Sequence, residues 1–117
     1  MAHEFNHLEL RSTKLDKAQA FYKSLFKWKL QAMPEMSYTL FTAGEGPGGG
    51  MMQLEKKGGP SHWVPYVRVK NIRATVKKAK SLGAKVLADV MLIPGYGQIA
   101  VLADPSGTPI GLSQPAE

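Results

Sequence analysis

The chain contains no cysteine, so neither a disulfide nor a thiolate-bound metal is available to it. It has no apolar run of about 18 residues, the length a membrane-spanning helix needs. The start, MAHEFNH, lacks the basic-then-apolar layout of a secretory leader. A soluble, cytoplasmic protein is the expectation. Acidic residues are scarce: nine Asp and Glu against fifteen Lys and Arg leave a net charge of +6. That balance favours anionic ligands weakly through the overall field. The lysines are spread along the chain and form no block, so a solvated surface is expected and nucleic acid is not. Histidine is scarcer still, at three residues, His3, His7 and His62. His3 lies close to the terminus and is given no role.

What is present is a pattern that occurs twice. FNHLELR (5–11) alternates, with Leu8 and Leu10 on one side and His7, Glu9 and Arg11 on the other. Thr13 and Asp16 have the spacing of a capping box. The helix that follows, to about Phe26, carries Leu15, Ala18, Tyr22, Leu25 and Phe26 as its apolar stripe. WKLQAM, SYTLFTA and MMQLE read as strands. GEGPGGG reads as a loop, and KKGGPS as a linker. The order then restarts: VPYVRV as a strand, Asn71 as the N-cap of a helix ended by Gly83, then AKVLADV, GQIAVLAD and PIGLSQ as strands, with DPSGTP as the turn before the last. Laying 7–30 on 64–87 matches Arg11 with Arg68, Lys23 with Lys80, Ser24 with Ser81, Leu25 with Leu82 and Leu30 with Leu87. One domain of two modules, about 5–56 and about 62–114, is expected. Each βαβββ half is too small to bury its own sheet, so an α+β fold follows: two paired modules forming a cup-shaped mixed sheet with helices outside.

The segments HLELRSTKLDKAQAFYKSLFKWKL and VPYVRVKNIRATVKKAKSLGAKVL, with the ending ADPSGTPIGL, resemble the vicinal oxygen chelate superfamily. That superfamily includes glyoxalase I, bleomycin-resistance proteins, fosfomycin-resistance enzymes and extradiol dioxygenases. The resemblance implies the glyoxalase/bleomycin-resistance/dioxygenase fold and a homodimer. It also implies ligand positions for a divalent ion at the start of each module's first strand and on each module's last strand. Carried over, these are His7 and Gln53 in the first module and Val64 and Gly111 in the second. Val64 and Gly111 cannot ligate, and His7 with Gln53 brings no negative charge, so no family metal site is expected. A substitute set would draw on Glu9, Glu55 and His62.

Without a metal, the cup is expected to bind a small organic molecule, anionic by charge balance. The reading gives His7 and Glu9 the catalytic role, an imidazole base oriented by a carboxylate. It gives Arg11, Gln53, Tyr66, Arg68, Tyr96 and Gln98 the contacts with that molecule, with Met51 beside them. For each arginine the alternative is a pair with a local carboxylate, as for Arg11 with Glu9 or Glu55. Trp28 and Trp63 read as packing or subunit contacts. The glycine run has no Lys-Ser/Thr ending and no following helix, which argues against a phosphate loop. Competing readings are a metal-dependent lyase or dioxygenase with altered ligands, and a drug-sequestering protein. The positive charge argues against capture of a cationic drug.

Overall fold

The computed structural model describes residues 3–116. The described residues divide into two compact units, His7–Val64 and a second made of residues 65–116 with residues 3–6. Each carries one βαβββ module. No helix among the described residues is long and apolar enough to cross a membrane.

In the first module the elements are β1 (Phe5–Ser12), α1 (Leu15–Phe26), β2 (Lys29–Met33), β3 (Tyr38–Thr42) and β4 (Gly49–Gln53). The strands lie in the order β2-β3-β4-β1, with β1 and β4 parallel. Leu10, Phe41 and Met51 form the buried core on the face that α1 covers, joined by Leu8, Leu15, Ala18, Tyr22, Trp28 and Leu30. The outer part of the apolar stripe lies at the edge of this core: no residue of α1 is fully buried, Leu25 is exposed, and Phe26 is half-exposed with its ring against Tyr22 and Trp28. Trp28 stacks on Phe41 at 4.6 Å, and Trp63 meets Phe41 edge-on at 6.1 Å. Both tryptophans are packing residues of this unit. The start of α1 departs from the capping-box expectation. Lys14 is the N-cap and gives no side-chain cap, while Thr13 turns to Ser61. The Leu15 N–H is accepted instead by Gln53 Oε1 at 3.2 Å.

The glycine run is only partly a loop. Gly49 and Gly50 belong to β4. A Cβ at Gly49 would run into the Leu8 carbonyl and the Phe41 ring, and one at Gly50 into the Tyr38 ring. Glycine here is a strand residue whose neighbours fill the side-chain space.

The second module holds β5 (His62–Arg68), α2 (Ile72–Ser81), β6 (Lys85–Ile93), β7 (Gly97–Ala103) and β8 (Pro109–Pro115), with strand order β5-β8-β7-β6. Val69, Ile72, Val76, Ala100, Leu102 and Leu112 form its core under α2. Asn71 caps α2, accepting from Ala74 N–H at 3.0 Å, and Gly83 follows the helix at φ +100°. The turn before β8 is held by Asp104 Oδ1, which accepts from Ser106 N, Ser106 Oγ and Thr108 N.

The registers show how closely the two modules repeat. Glu9 on β1 lies opposite Gly50 on β4, and Tyr66, at Glu9's repeat-equivalent position, lies opposite Gly111 on β8. The Leu15 N–H is accepted by Gln53, and the Ile72 N–H by Gln114 Oε1 at 2.8 Å. Gly50 with Gly111, and Gln53 with Gln114, are therefore equivalent pairs three residues apart on each last strand.

Candidate functional site

On β1 the residues of odd number point away from α1, since Leu8 and Leu10 point toward it. This places His7, Glu9 and Arg11 in a row on the helix-free face of the first module. Tyr38, at the start of β3, reaches the same face across Gly50. Glu9 is the centre of the group and is buried, with 2% of its surface exposed. Its Oε2 accepts from Arg11 Nε at 2.7 Å, and its Oε1 accepts from the Tyr38 hydroxyl at 2.9 Å. The Tyr38 oxygen in turn lies 2.8 Å from His7 Nε2, with the two rings nearly parallel at 14°. A buried carboxylate is tolerated only when paired and hydrogen-bonded, and Glu9 is both.

The proton positions follow from the partners. An ionised carboxylate can only accept, so the Tyr38 proton is directed at Glu9. The Tyr38 oxygen then accepts from His7 Nε2–H. A neutral imidazole has one N–H, so Nδ1 carries the lone pair. Burial pushes the His7 pKa below its ordinary value of 6.5, and the Glu9 charge offsets this only in part. The ring is therefore neutral near pH 7. A proton arriving at Nδ1 would leave an imidazolium whose Nε2–H is held by Tyr38 and, through it, by Glu9.

Sequence reasoning thus brought His7, Glu9 and Arg11 together and missed Tyr38, which joins the first two. Arg11 pairs with Glu9, and Arg68 pairs with Glu4 at 3.4 Å on exposed surface, so the local-carboxylate alternative describes both arginines. Four placements differ from the expectation. Gln53 and Met51 lie on the α1 side of β4. Met51 is in the core, and the Gln53 amide is spent on Leu15 N–H, Thr13 O and Leu54 O. Gln98 lies directly opposite Gln114, whose side chain reaches the start of α2, so it too is on a helix-covered face. Tyr96 sits exposed in the turn between β6 and β7. For Gln53, Met51 and Gln98 the strand register sets the parity opposite to the expected one, which exchanges the faces; Tyr96 belongs to no strand. Tyr66 and Arg68 lie on the face of the second module opposite α2, with the Tyr66 ring over Gly111.

The implied metal can be tested on the same geometry. The register equivalence puts Gly50, and not Gln53, at the position matching Gly111. Of the four positions, His7, Gly50, Val64 and Gly111, only His7 has a donor side chain. Each glycine is roofed by a tyrosine ring. The substitute set is not assembled either: His62 Nδ1 bonds Pro60 O at 2.8 Å, and Glu55 lies 3.7 Å from Lys57. Among the described residues no three His, Asp or Glu side chains gather closely enough to hold an ion. The residues present do not fit the family metal.

The fold and the repeated module define a class, and comparison with known proteins specifies it. The model of the glyoxalase-like domain family matches residues 7–113. Proteins of Mycobacterium bovis and Mycobacterium tuberculosis named "Putative glyoxylase CFP32" are 35% identical over 111 residues, covering 92% of this chain. The chain spans 42% of the length of these relatives. The methylmalonyl-CoA epimerase of Mycobacterium tuberculosis superposes with a TM-score of 0.69 over 97% of this chain and 88% of its own, at 16% identity. A hypothetical protein of Bacillus halodurans gives 0.71 over 100% and 97%, at 17% identity. The chain belongs to the glyoxalase-like domain family of the vicinal oxygen chelate superfamily, and the expected α+β fold of two βαβββ modules is the one it has.

Proposed function

We propose that this glyoxalase-like domain binds a small organic molecule against the helix-free face of its first module and exchanges a proton with it through His7, without the family metal. The observation that supports this reading is the relay itself: a buried, fully bonded Glu9 linked through Tyr38 to an imidazole held neutral. A neutral imidazole backed by a carboxylate is suited to take a proton and give it back. Taking it from one atom of the bound molecule and returning it to another is an isomerisation, which balances without a further reactant. Arg11 spends charge on Glu9, so the preference for an anionic molecule rests on the chain's net charge of +6.

The homodimer belongs to the same reading. Exposed Phe21 and Leu25 on α1 support it, since apolar surface of that kind is normally covered. Sedimentation tests it, a monomer at all concentrations being the contrary result.

The function is tested by calorimetric titration with small 2-oxo and 2-hydroxy carboxylates and their neutral amides. Binding of at least one carboxylate, weakened tenfold or more by His7→Ala, is expected. Affinities that His7→Ala leaves unchanged would remove His7 from the site. Near-stoichiometric bound metal in protein purified without chelator would favour a metal-dependent lyase or dioxygenase instead.

A further inference from the structure

The poor fit to a metal has a specific structural counterpart in the first module. His7 Nε2 and Glu9 Oε1 converge on one point, as two ligands of an ion would, and the atom at that point is the Tyr38 hydroxyl oxygen. Its distances, 2.8 and 2.9 Å, are those of hydrogen bonds and exceed the roughly 2.0–2.2 Å of nitrogen and oxygen ligands to zinc. A cation there would also offset the charge of Glu9. Arg11 does this from the other carboxylate oxygen.

We infer that Tyr38 and Arg11 together replace an ion in this module, and that Tyr38 is the positioning residue that fixes His7 as its Nε2–H tautomer. The inference deepens the proposed function and rests on the same site. Two further observations carry it. Residue 50 is glycine on a strand, where only the absence of a Cβ lets the Tyr38 ring lie across β4. The second module shares the glycine and its ring cover, with Tyr66 over Gly111 at the equivalent register, although that ring comes from β5 and stands at the position equivalent to Glu9. In both modules the last-strand position is a glycine that lies under a tyrosine ring. With the hydroxyl proton committed to Glu9, the His7 proton must sit on Nε2, and the basic nitrogen is Nδ1. A bound ion would impose the opposite arrangement, with Nε2 as the lone-pair donor and the proton on Nδ1.

The two arrangements are told apart by imidazole nitrogen NMR at about pH 8, where the ring is neutral. Wild-type protein is expected to give the Nε2–H pattern for His7, unmoved by one equivalent of Zn²⁺. Tyr38→Phe keeps the ring and removes the hydroxyl, and is expected to show both tautomers. An Nδ1–H pattern in the wild type, His7 resonances that shift to a zinc-bound position, or a tautomer unchanged by Tyr38→Phe would each overturn the inference. A merely structural role for Tyr38 would lower stability without moving the tautomer. Ligand titrations that ignore His7→Ala would sink the proposed function while leaving the tautomer result standing.

Discussion

Tyr38 lies where it does because residue 50 is glycine: a Cβ added to Gly50 would come within 2.0 Å of the Tyr38 ring and its hydroxyl oxygen. Gly50→Ala should therefore displace the ring from His7 and Glu9. Overpacking of this kind costs about 1–3 kcal/mol, and the displaced hydroxyl leaves Glu9 with one partner fewer. In a Tyr38→Ala background the same change should be nearly free. A denaturant-based double-mutant cycle measures the coupling, and additive effects would contradict the arrangement.

Glu9 and Arg11 should behave as a pair that is costly to break and cheap to remove. Glu9→Met leaves the Arg11 charge without its carboxylate in a largely buried place, at a cost of about 3 kcal/mol. That is the low end for a buried pair, because Arg11 keeps some exposure. Glu9→Met with Arg11→Met should be more stable than Glu9→Met alone. Chemical denaturation of the three proteins decides it.

Stability should depend on pH through His7. Its pKa is lower in the folded chain than its ordinary 6.5, so below that value the unfolded chain binds more protons. The contribution of His7 is then complete above about pH 6.5 and is lost as the pH falls through the lowered pKa. Among the groups facing the ring are the Tyr38 hydroxyl and, through it, Glu9 with its partner Arg11. Thermal melts of the wild type and His7→Asn between pH 7 and 5 should converge on acidification. A parallel decline in both would assign the acid sensitivity elsewhere.

Gln53 should matter to α1 and not to the site. Gln53→Ala removes the acceptor of the Leu15 N–H, at about 1 kcal/mol by analogy with other lost caps. It should leave the His7 tautomer and every ligand affinity unchanged. A loss of ligand affinity without a loss of stability would restore Gln53 to the site.

Lys27 ends α1 in the left-handed region at φ 60°, where a side chain is a cost. Lys27→Gly relieves a left-handed conformation that costs an L-residue about 1 kcal/mol or more, and should raise stability, readable as a higher denaturation midpoint.

The strand and helix order, the duplication and the row of His7, Glu9 and Arg11 were legible because alternation and capping are local. Asn71 and Gly83 were readable for the same reason. What escaped were facts of register. Nothing local distinguishes Gly49 and Gly50 as strand residues from the loop glycines before them, since the Phe41 and Tyr38 rings that fill their side-chain space come from β3. MMQL and GQIA could be read in either parity, and only the pairing of β4 with β1 and of β7 with β8 decides which faces Gln53 and Gln98 occupy. Tyr38 was hidden by the same gap. One signal was available: a glycine at the position equivalent to Gly111 would have pointed to Gly50, had the two last strands been aligned as the first strands were.

The glutamines at the ends of β4 and β8 tie each module's first connection to its last strand. A helix whose opening amide waits for a side chain about forty residues downstream cannot complete its own start. Leu15 and Ile72 should become protected from solvent exchange only once β4 and β8 have docked. Each helix and the strand that closes its module should then open as one unit, and those two amides are the natural reporters of the order in which the chain assembles.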